Sequence, residues 1–286
     1  MSHRIARSSL LLAAAAALAL AAPRGASAQE LDVPYVPTPT EVVSTMLELT
    51  EPTPRDSLYD LGSGDGRIVI TAAERYGTPG IGVELDSGRV ATARQNARES
   101  GVQDMVRFIR GDLFDVDVSN ASVVTLYLLP SVNRRLRPKL LRQLEPGSRV
   151  VSHDFDMGAW QADSIVRVPE ENGGRATVYF WKVPAHVAGT WVVTRPDGSE
   201  ARIRIDQKYQ ELRMSLPDGS TDVGGASLDG ATISFVLGTS TYTGTVTGDG
   251  IQGTTDNGGN WSARRVSGGA ESIENWQRSS GYREAG

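Results

Sequence analysis

The stretch Leu58-Tyr59-Asp60-Leu61-Gly62-Ser63-Gly64-Asp65-Gly66-Arg67-Ile68-Val69-Ile70 decides the fold. It reads as a short apolar strand, a glycine-rich turn and the start of a helix. Glycines at 62, 64 and 66 admit backbone angles and close approaches that a Cβ would block. The helix that follows aims free N–H groups and its positive dipole end at the turn. A dinucleotide site would want its third glycine at position 67, where this chain has Arg67. The acid at Asp60 suits a ligand carrying an ammonium group better than a pyrophosphate, which it would repel. Taken alone, the loop is equally an ordinary tight turn.

The residues after the loop extend the pattern. Arg67 to Tyr76 suits a helix stopped by Gly77-Thr78-Pro79-Gly80, and Ile81 to Leu85 suits a short buried strand. Glu84 follows Gly64 by 20 residues, the spacing at which an α/β nucleotide site places the acid that accepts ribose hydroxyls. A solvated charge at a strand end is the competing reading. Asp86 suits an N-cap for a helix through Ser100, ended by Gly101, and Met105 to Arg110 suits the next strand. It runs into Gly111-Asp112-Leu113, on the same carboxyl edge of a parallel sheet as Gly62 and Glu84. Asp112 can accept from an adenine amino group and the Leu113 backbone can read a ring nitrogen, or the pair is simply a turn.

An apolar run from Ala121 to Leu128 reads as a central strand ended by Pro130. Ser131 to Leu144 reads as a basic helix bent or restarted at Pro138, and Ser148 to His153 as a further strand. The basic run Arg134, Arg135, Arg137, Lys139 and Arg142 could attract an acidic partner, but reads better as a solvated face opposite Leu136, Leu140, Leu141 and Leu144. Successive βα units with short connections make a doubly wound sheet the expected architecture.

Together, Asp60 to Gly66, Glu84 and Asp112 resemble the cofactor motifs of class I S-adenosylmethionine-dependent methyltransferases, over roughly Pro34 to Trp160. Pro34-Tyr35-Val36-Pro37-Thr38-Pro39 and the glycine loop are most similar to the lysine methyltransferases related to the ATP synthase c-subunit lysine N-methyltransferase. The resemblance implies a seven-strand Rossmann-like sheet and S-adenosylmethionine as cofactor. It implies that Tyr35 and Thr38 lie near the methionine end, and that Gly62, Ser63, Gly64, Asp65 and Gly66, with Asp60, hold the methionyl part. Glu84 would take the ribose, and Asp112 with Leu113 the adenine. The chain departs from the amino-methylating pattern Asn/Asp-Pro-Pro-Tyr, having Leu126-Tyr127-Leu128-Leu129-Pro130 instead, with no acid or amide to grip an amine. Tyr127 remains the one catalytic candidate, as an aromatic face or hydroxyl near the sulfonium, or else a packed strand-end tyrosine.

Ser152-His153-Asp154 is not a hydrolytic triad, because neighbouring strand residues point to opposite faces and no G-x-S-x-G elbow is present. Asp154 or Asp156 is a candidate to line a substrate mouth. Three histidines and no cysteine leave little from which to build a transition-metal site, so no metal is expected. The net charge is −5, or −8 without the first 28 residues, which argues against nucleic acid as partner. The expected partner is a protein or small-molecule methyl acceptor, and oligomeric state is not indicated.

Residues 1–28 read as a signal peptide: Arg4 and Arg7, an apolar run from Leu10 to Ala22, and Ala26-Ser27-Ala28 at a cleavage site after Ala28. The run is shorter than the ~20 residues of a membrane span. The expectation is an exported protein, periplasmic or secreted, with no stable membrane span. Residues 29–184 are read as the methyltransferase domain. From 185 to 268 come short alternating segments punctuated by Pro196-Asp197-Gly198, Pro217-Asp218-Gly219 and Asp249-Gly250, read as a small antiparallel barrel or sandwich. Trp191, Trp261 and Tyr242 are expected in its core, and 269–286 as a tail with a short helix over Glu271 to Arg278. Two functions follow: a methyltransferase acting on a nucleophile such as a protein lysine amine, or a noncatalytic cofactor-binding sensor or scaffold whose β domain recognises a ligand or partner.

Overall fold

The computed structural model describes residues 36–171, 173–217 and 223–268. The leader, Tyr35, the turn at Pro217-Asp218-Gly219 and the expected helix at Glu271 to Arg278 lie wholly or partly outside the described residues. The chain opens on α1 (Thr40–Thr50), β1 (Leu58–Leu61), α2 (Arg67–Tyr76), β2 (Gly80–Glu84), α3 (Ser87–Glu99) and β3 (Val106–Arg110). It continues through β4 (Val123–Leu126), α4 (Pro130–Gln143), β5 (Arg149–His153), β6 (Ser164–Pro169) and β7 (Arg175–Lys182). These strands form a seven-stranded sheet in the order β3-β2-β1-β4-β5-β7-β6. β7 runs antiparallel to β5 and β6, and the other pairings are parallel.

Local chemistry accounts for the first βαβ units. Gly66 caps α2 at φ +83° and Gly77 ends it at φ +66°, both in the left-handed region where a side chain is strained. Asp86 caps α3 by accepting from the backbone N–H groups of Gly88 and Arg89. β1 and β4 are buried on every residue, as a central parallel strand covered on both faces requires. One face packs against α1, α2 and α3 through residues such as Met46, Val69, Ala93 and Val151. The other packs against α4 through Leu61, Leu126, Leu136 and Leu140.

Three expectations need correction. The strand expected over Ala121 to Leu128 is only Val123–Leu126, because Leu128 turns away to cover Gly62. α4 is one helix through Pro138, which sits inside it, so it does not restart there. Its basic face is not wholly solvated: Lys139 donates to the carbonyls of Leu113 and Phe114, and Arg137 to that of Met157.

The second sheet holds β8 (Gly189–Thr194), β9 (Glu200–Lys208), β10 (Glu211–Ser215), β11 (Val223–Asp229), β12 (Thr232–Leu237), β13 (Ser240–Thr247), β14 (Gly250–Thr255) and β15 (Asn260–Ser267). Its antiparallel order is β10-β9-β8-β15-β14-β13-β12-β11, and the end strands β10 and β11 touch, so the sheet is nearly a closed barrel. Its interior is filled by side chains, with Phe235, Tyr242 and Trp261 packed in a mutual cluster and Trp191 buried nearby. Both sheets belong to one compact unit.

Candidate active site

The parallel strands end at one edge, where helix N-termini and loops converge. β1 brings Asp60 to that edge, 3 % exposed, with its Oδ1 accepting from Thr125 Oγ1 of β4 at 2.7 Å. Burial, reinforced by the nearby carboxylates of Asp65 and Glu84, pushes the Asp60 carboxyl up to about 7. The glycine turn that follows is folded back on β2: Gly62 and Ser63 both donate to the carbonyl of Val83. A Cβ on Gly62 would sit 2.9 Å from Leu128 Cδ2, and one on Gly66 2.5 Å from Phe108 Cζ. The glycines are therefore fixed by contact as well as by φ.

Glu84 is not a solvated strand-end charge. It is buried, its Oε2 accepts from the Gly64 N–H at 3.0 Å and its Oε1 from the Asp86 N–H at 3.0 Å. Each carboxylate oxygen keeps further acceptor capacity in a second lone pair. Asp112 adjoins it, since Gly111 donates to the Glu84 carbonyl at 3.0 Å. The Asp112 Oδ1 caps the Phe114 N–H at 2.9 Å, so its carboxylate shapes this turn. α4 braces this loop through Lys139 and through Arg135, whose guanidinium lies 3.7 Å from the Phe114 ring centre.

Sequence reasoning missed Arg67. It occupies the position of the dinucleotide glycine, grips Asp65 with Nε and Nη2, and donates from Nη1 to the Thr38 carbonyl at 2.9 Å. Asn96 fixes the same turn from α3 by donating to the Asp65 carbonyl. Thr38 is thus strapped to the glycine turn on one side. On the other its Oγ1 lies 3.4 Å from His153 Nδ1.

His153 ends β5, 1 % exposed, with the Tyr127 ring stacked on it at 3.8 Å between centres. Burial pulls its pKa below the ordinary imidazole value against the opposing pull of Asp154, leaving the ring neutral at pH 7. Opposite-face alternation fails at this point, because Asp154 has φ +60° and its Oδ2 comes 3.4 Å from His153 Nε2. That is ion-pair distance without hydrogen-bond geometry, and the Nε2 has no hydrogen-bond partner among the described residues. Ser152 points elsewhere, its Oγ accepting from Asn133, so no triad forms. The end of β5 thus brings a carboxylate beside the His153 and Tyr127 rings. Asp156 is exposed and caps Gly158.

The edge suits an aminoacyl sulfonium nucleoside. A buried acid lies beside two other carboxylates, a glycine cradle admits no side chain, and the buried Ser63 Oγ lacks a partner among the described residues. Sheet order and site together define a class I S-adenosylmethionine-dependent methyltransferase.

Residues 60–164 match the model of the ANTKMT methyltransferase domain. A protein-lysine N-methyltransferase of Saccharolobus islandicus (strain REY15A) is 43 % identical over 155 residues, spanning 54 % of this chain and 96 % of that protein. The human ATP synthase c-subunit lysine N-methyltransferase is 35 % identical over 133 residues, 46 % of this chain and 56 % of the human enzyme, about half its length. The solved structure of an RNA methyltransferase from Salinibacter ruber, in complex with S-adenosyl-L-homocysteine, is 56 % identical, with a TM-score of 0.50 over 53 % of this chain and 96 % of that one. The chain belongs to the ANTKMT methyltransferase family, and it is an enzyme.

Proposed function

We propose that the protein methylates the side-chain amine of a protein lysine. S-adenosylmethionine, when bound, supplies an electrophilic methyl group on a sulfonium. The chain's residues bind, orient and exclude water. In this reading Gly62, Ser63, Gly64, Asp65 and Gly66 cradle the methionyl part, and Asp60, ionised beside an ammonium, answers its charge. Glu84 takes the ribose hydroxyls, Asp112 and the Leu113 backbone take the adenine, and Thr38 covers the methionine end.

The observation that carries the acceptor assignment is the group Tyr127, His153 and Asp154. An aromatic face stacked on a neutral imidazole, with a carboxylate 3.4 Å from the ring nitrogen, provides cation–π attraction and a counter-charge for an incoming ammonium. His153 Nε2, lacking a donor, can accept the proton that the amine must lose before its lone pair attacks. Asp154 then stabilises the imidazolium. The lysine-modifying relatives support the same acceptor, and the acidic chain supports a protein over a nucleic acid. The Salinibacter relative, described as an RNA methyltransferase, favours RNA as the second reading.

The test offers methyl-labelled cofactor with a bacterial protein extract and, separately, with total RNA. Acid-stable label recovered as methyllysine is expected. Asp154→Asn, which keeps a residue tolerant of positive φ, should lower turnover on protein at least roughly tenfold while cofactor affinity stays within about twofold. Label entering RNA alone, or full activity in Asp154→Asn, overturns the assignment.

A further inference from the structure

The segment from Asp154 to Asp163 joins β5 to β6 without a regular ladder, so its carbonyl groups must find other donors. α4 supplies the first: Asn133 Nδ2 donates to Phe155 O at 3.0 Å and to Asp156 O at 3.3 Å, and Arg137 Nη1 to Met157 O at 2.7 Å. β7 supplies the next, Trp181 Nε1 to Trp160 O at 2.9 Å. The last donor comes from the barrel. Gln210, in the tight turn between β9 and β10, donates from Nε2 to Gln161 O at 2.8 Å and to Asp163 Oδ1 at 2.8 Å. Its Oε1 accepts from Trp160 Nε1 at 3.0 Å.

Tyr209 beside it is a barrel residue packed in the methyltransferase core. It is 4 % exposed, its ring stacks on Trp160 at 6.1 Å, and Arg137 lies 5.7 Å from its centre. It holds φ +54°, which costs a non-glycine residue on the order of 1–2 kcal/mol and persists only where surroundings over-determine it. The barrel is also pinned at its root. Gly230, between β11 and β12, lies so close to Gly147 that a Cβ on it would come 2.8 Å from the Gly147 Cα. Ala185 donates to the Gly230 carbonyl, and Lys182 pairs with Asp229 at 2.8 Å. Two separated contacts fix a body against rocking, where one would leave a hinge.

We propose that the β9–β10 turn is a positioning element for the acceptor side of the active site, and that the barrel is its rigid support. Tyr209 and Gln210 hold the far end of the loop whose near end carries Asp154. The hydrogen bonds described for Asp60, Gly62, Ser63, Gly64 and Glu84 run within the first sheet and its loops. The inference rests on the proposed placement of the acceptor at the β5 edge. It does not depend on which macromolecule is methylated.

The full-length enzyme tests it, on whichever macromolecule the wild type labels, so that a failed lysine reading leaves the comparison intact. Gln210→Ala removes three hydrogen bonds and should raise the acceptor KM at least roughly fivefold, with cofactor Kd within about twofold. Hydrogen exchange should quicken at residues 155–163 and stay unchanged at 62–66. Tyr209→Asn tolerates the backbone angle but lacks the ring and should share the defect. An unchanged acceptor KM in both Gln210→Ala and Tyr209→Asn overturns the proposal. So does a loss of cofactor affinity as large as the loss in acceptor KM, which would mark a merely structural contact.

Discussion

Replacing Asp60 with asparagine should separate the stability of the free protein from its capacity to bind cofactor. The carboxyl is raised by burial from an ordinary 3.8 to about 7, so the folded state holds its proton where the unfolded chain has released it. For an acid with a raised folded pKa, the contribution to stability is full below the unfolded pKa and fades as pH climbs through the folded one. A rise of about 3 corresponds to ~4 kcal/mol, lost between roughly pH 4 and 7. Asparagine keeps an oxygen for Thr125 Oγ1 and carries no charge to bury. The ligand-free Asp60→Asn protein should therefore match the wild type at pH 4 and exceed it at pH 8, by up to about 4 kcal/mol.

Cofactor binding should move the other way. An ionised Asp60 facing an ammonium makes a charged hydrogen bond of about 1.5–3 kcal/mol, so calorimetry at pH 8 should show the variant roughly ten- to hundredfold weaker. In the wild type, binding must expel the Asp60 proton below pH 7, so affinity should fall about tenfold per pH unit there and remain flatter in the variant. Urea melts of the ligand-free proteins and titrations at both pH values check the pair. A variant less stable than wild type at pH 8, or one that binds cofactor equally well, would refute the reasoning.

Gly66→Ala should lose about 2–4 kcal/mol, combining a left-handed φ of +83° with a Cβ driven to 2.5 Å from Phe108 Cζ, read as a lower urea midpoint at unchanged slope. Glu84→Ala leaves the Gly64 and Asp86 N–H groups without their acceptor and should weaken cofactor binding by about 1–3 kcal/mol in calorimetry, with faster hydrogen exchange at Gly64 as its signature.

What could be read from the sequence was what a few neighbouring residues determine. α2 and α3 carry their own caps at Gly77 and Asp86, and the barrel strands Gly189–Thr194, Glu211–Ser215 and Thr232–Leu237 lie between turn residues that set their limits. No local signal located α1, β6, β7 or β11. α1 has proline rather than a side-chain cap before it, and the placing of β7 between β5 and β6 is decided by pairings distant in sequence. β11 has two exposed glycines and a register shift between Gly224 and Ser227, which breaks the alternation that would announce a strand.

The site divides along the same line. The glycine turn and Glu84 were legible because one loop and one following strand build them. The proposed acceptor side was not, because it forms where regular geometry stops. Alternation along β5 places His153 and Asp154 on opposite faces, and the single positive φ at Asp154 cancels that rule by bringing the carboxylate to the imidazole. Tyr127 then acquires its partner from a strand 26 residues away, and Gln210 reaches Trp160 from another sheet. A period-based reading is strongest inside elements, whereas the groups that would handle the acceptor lie at element ends held by long-range contacts. On the proposed function, the departure of Leu126-Tyr127-Leu128-Leu129-Pro130 from the amine-gripping pattern is answered by the carboxylate that Asp154 brings from β5.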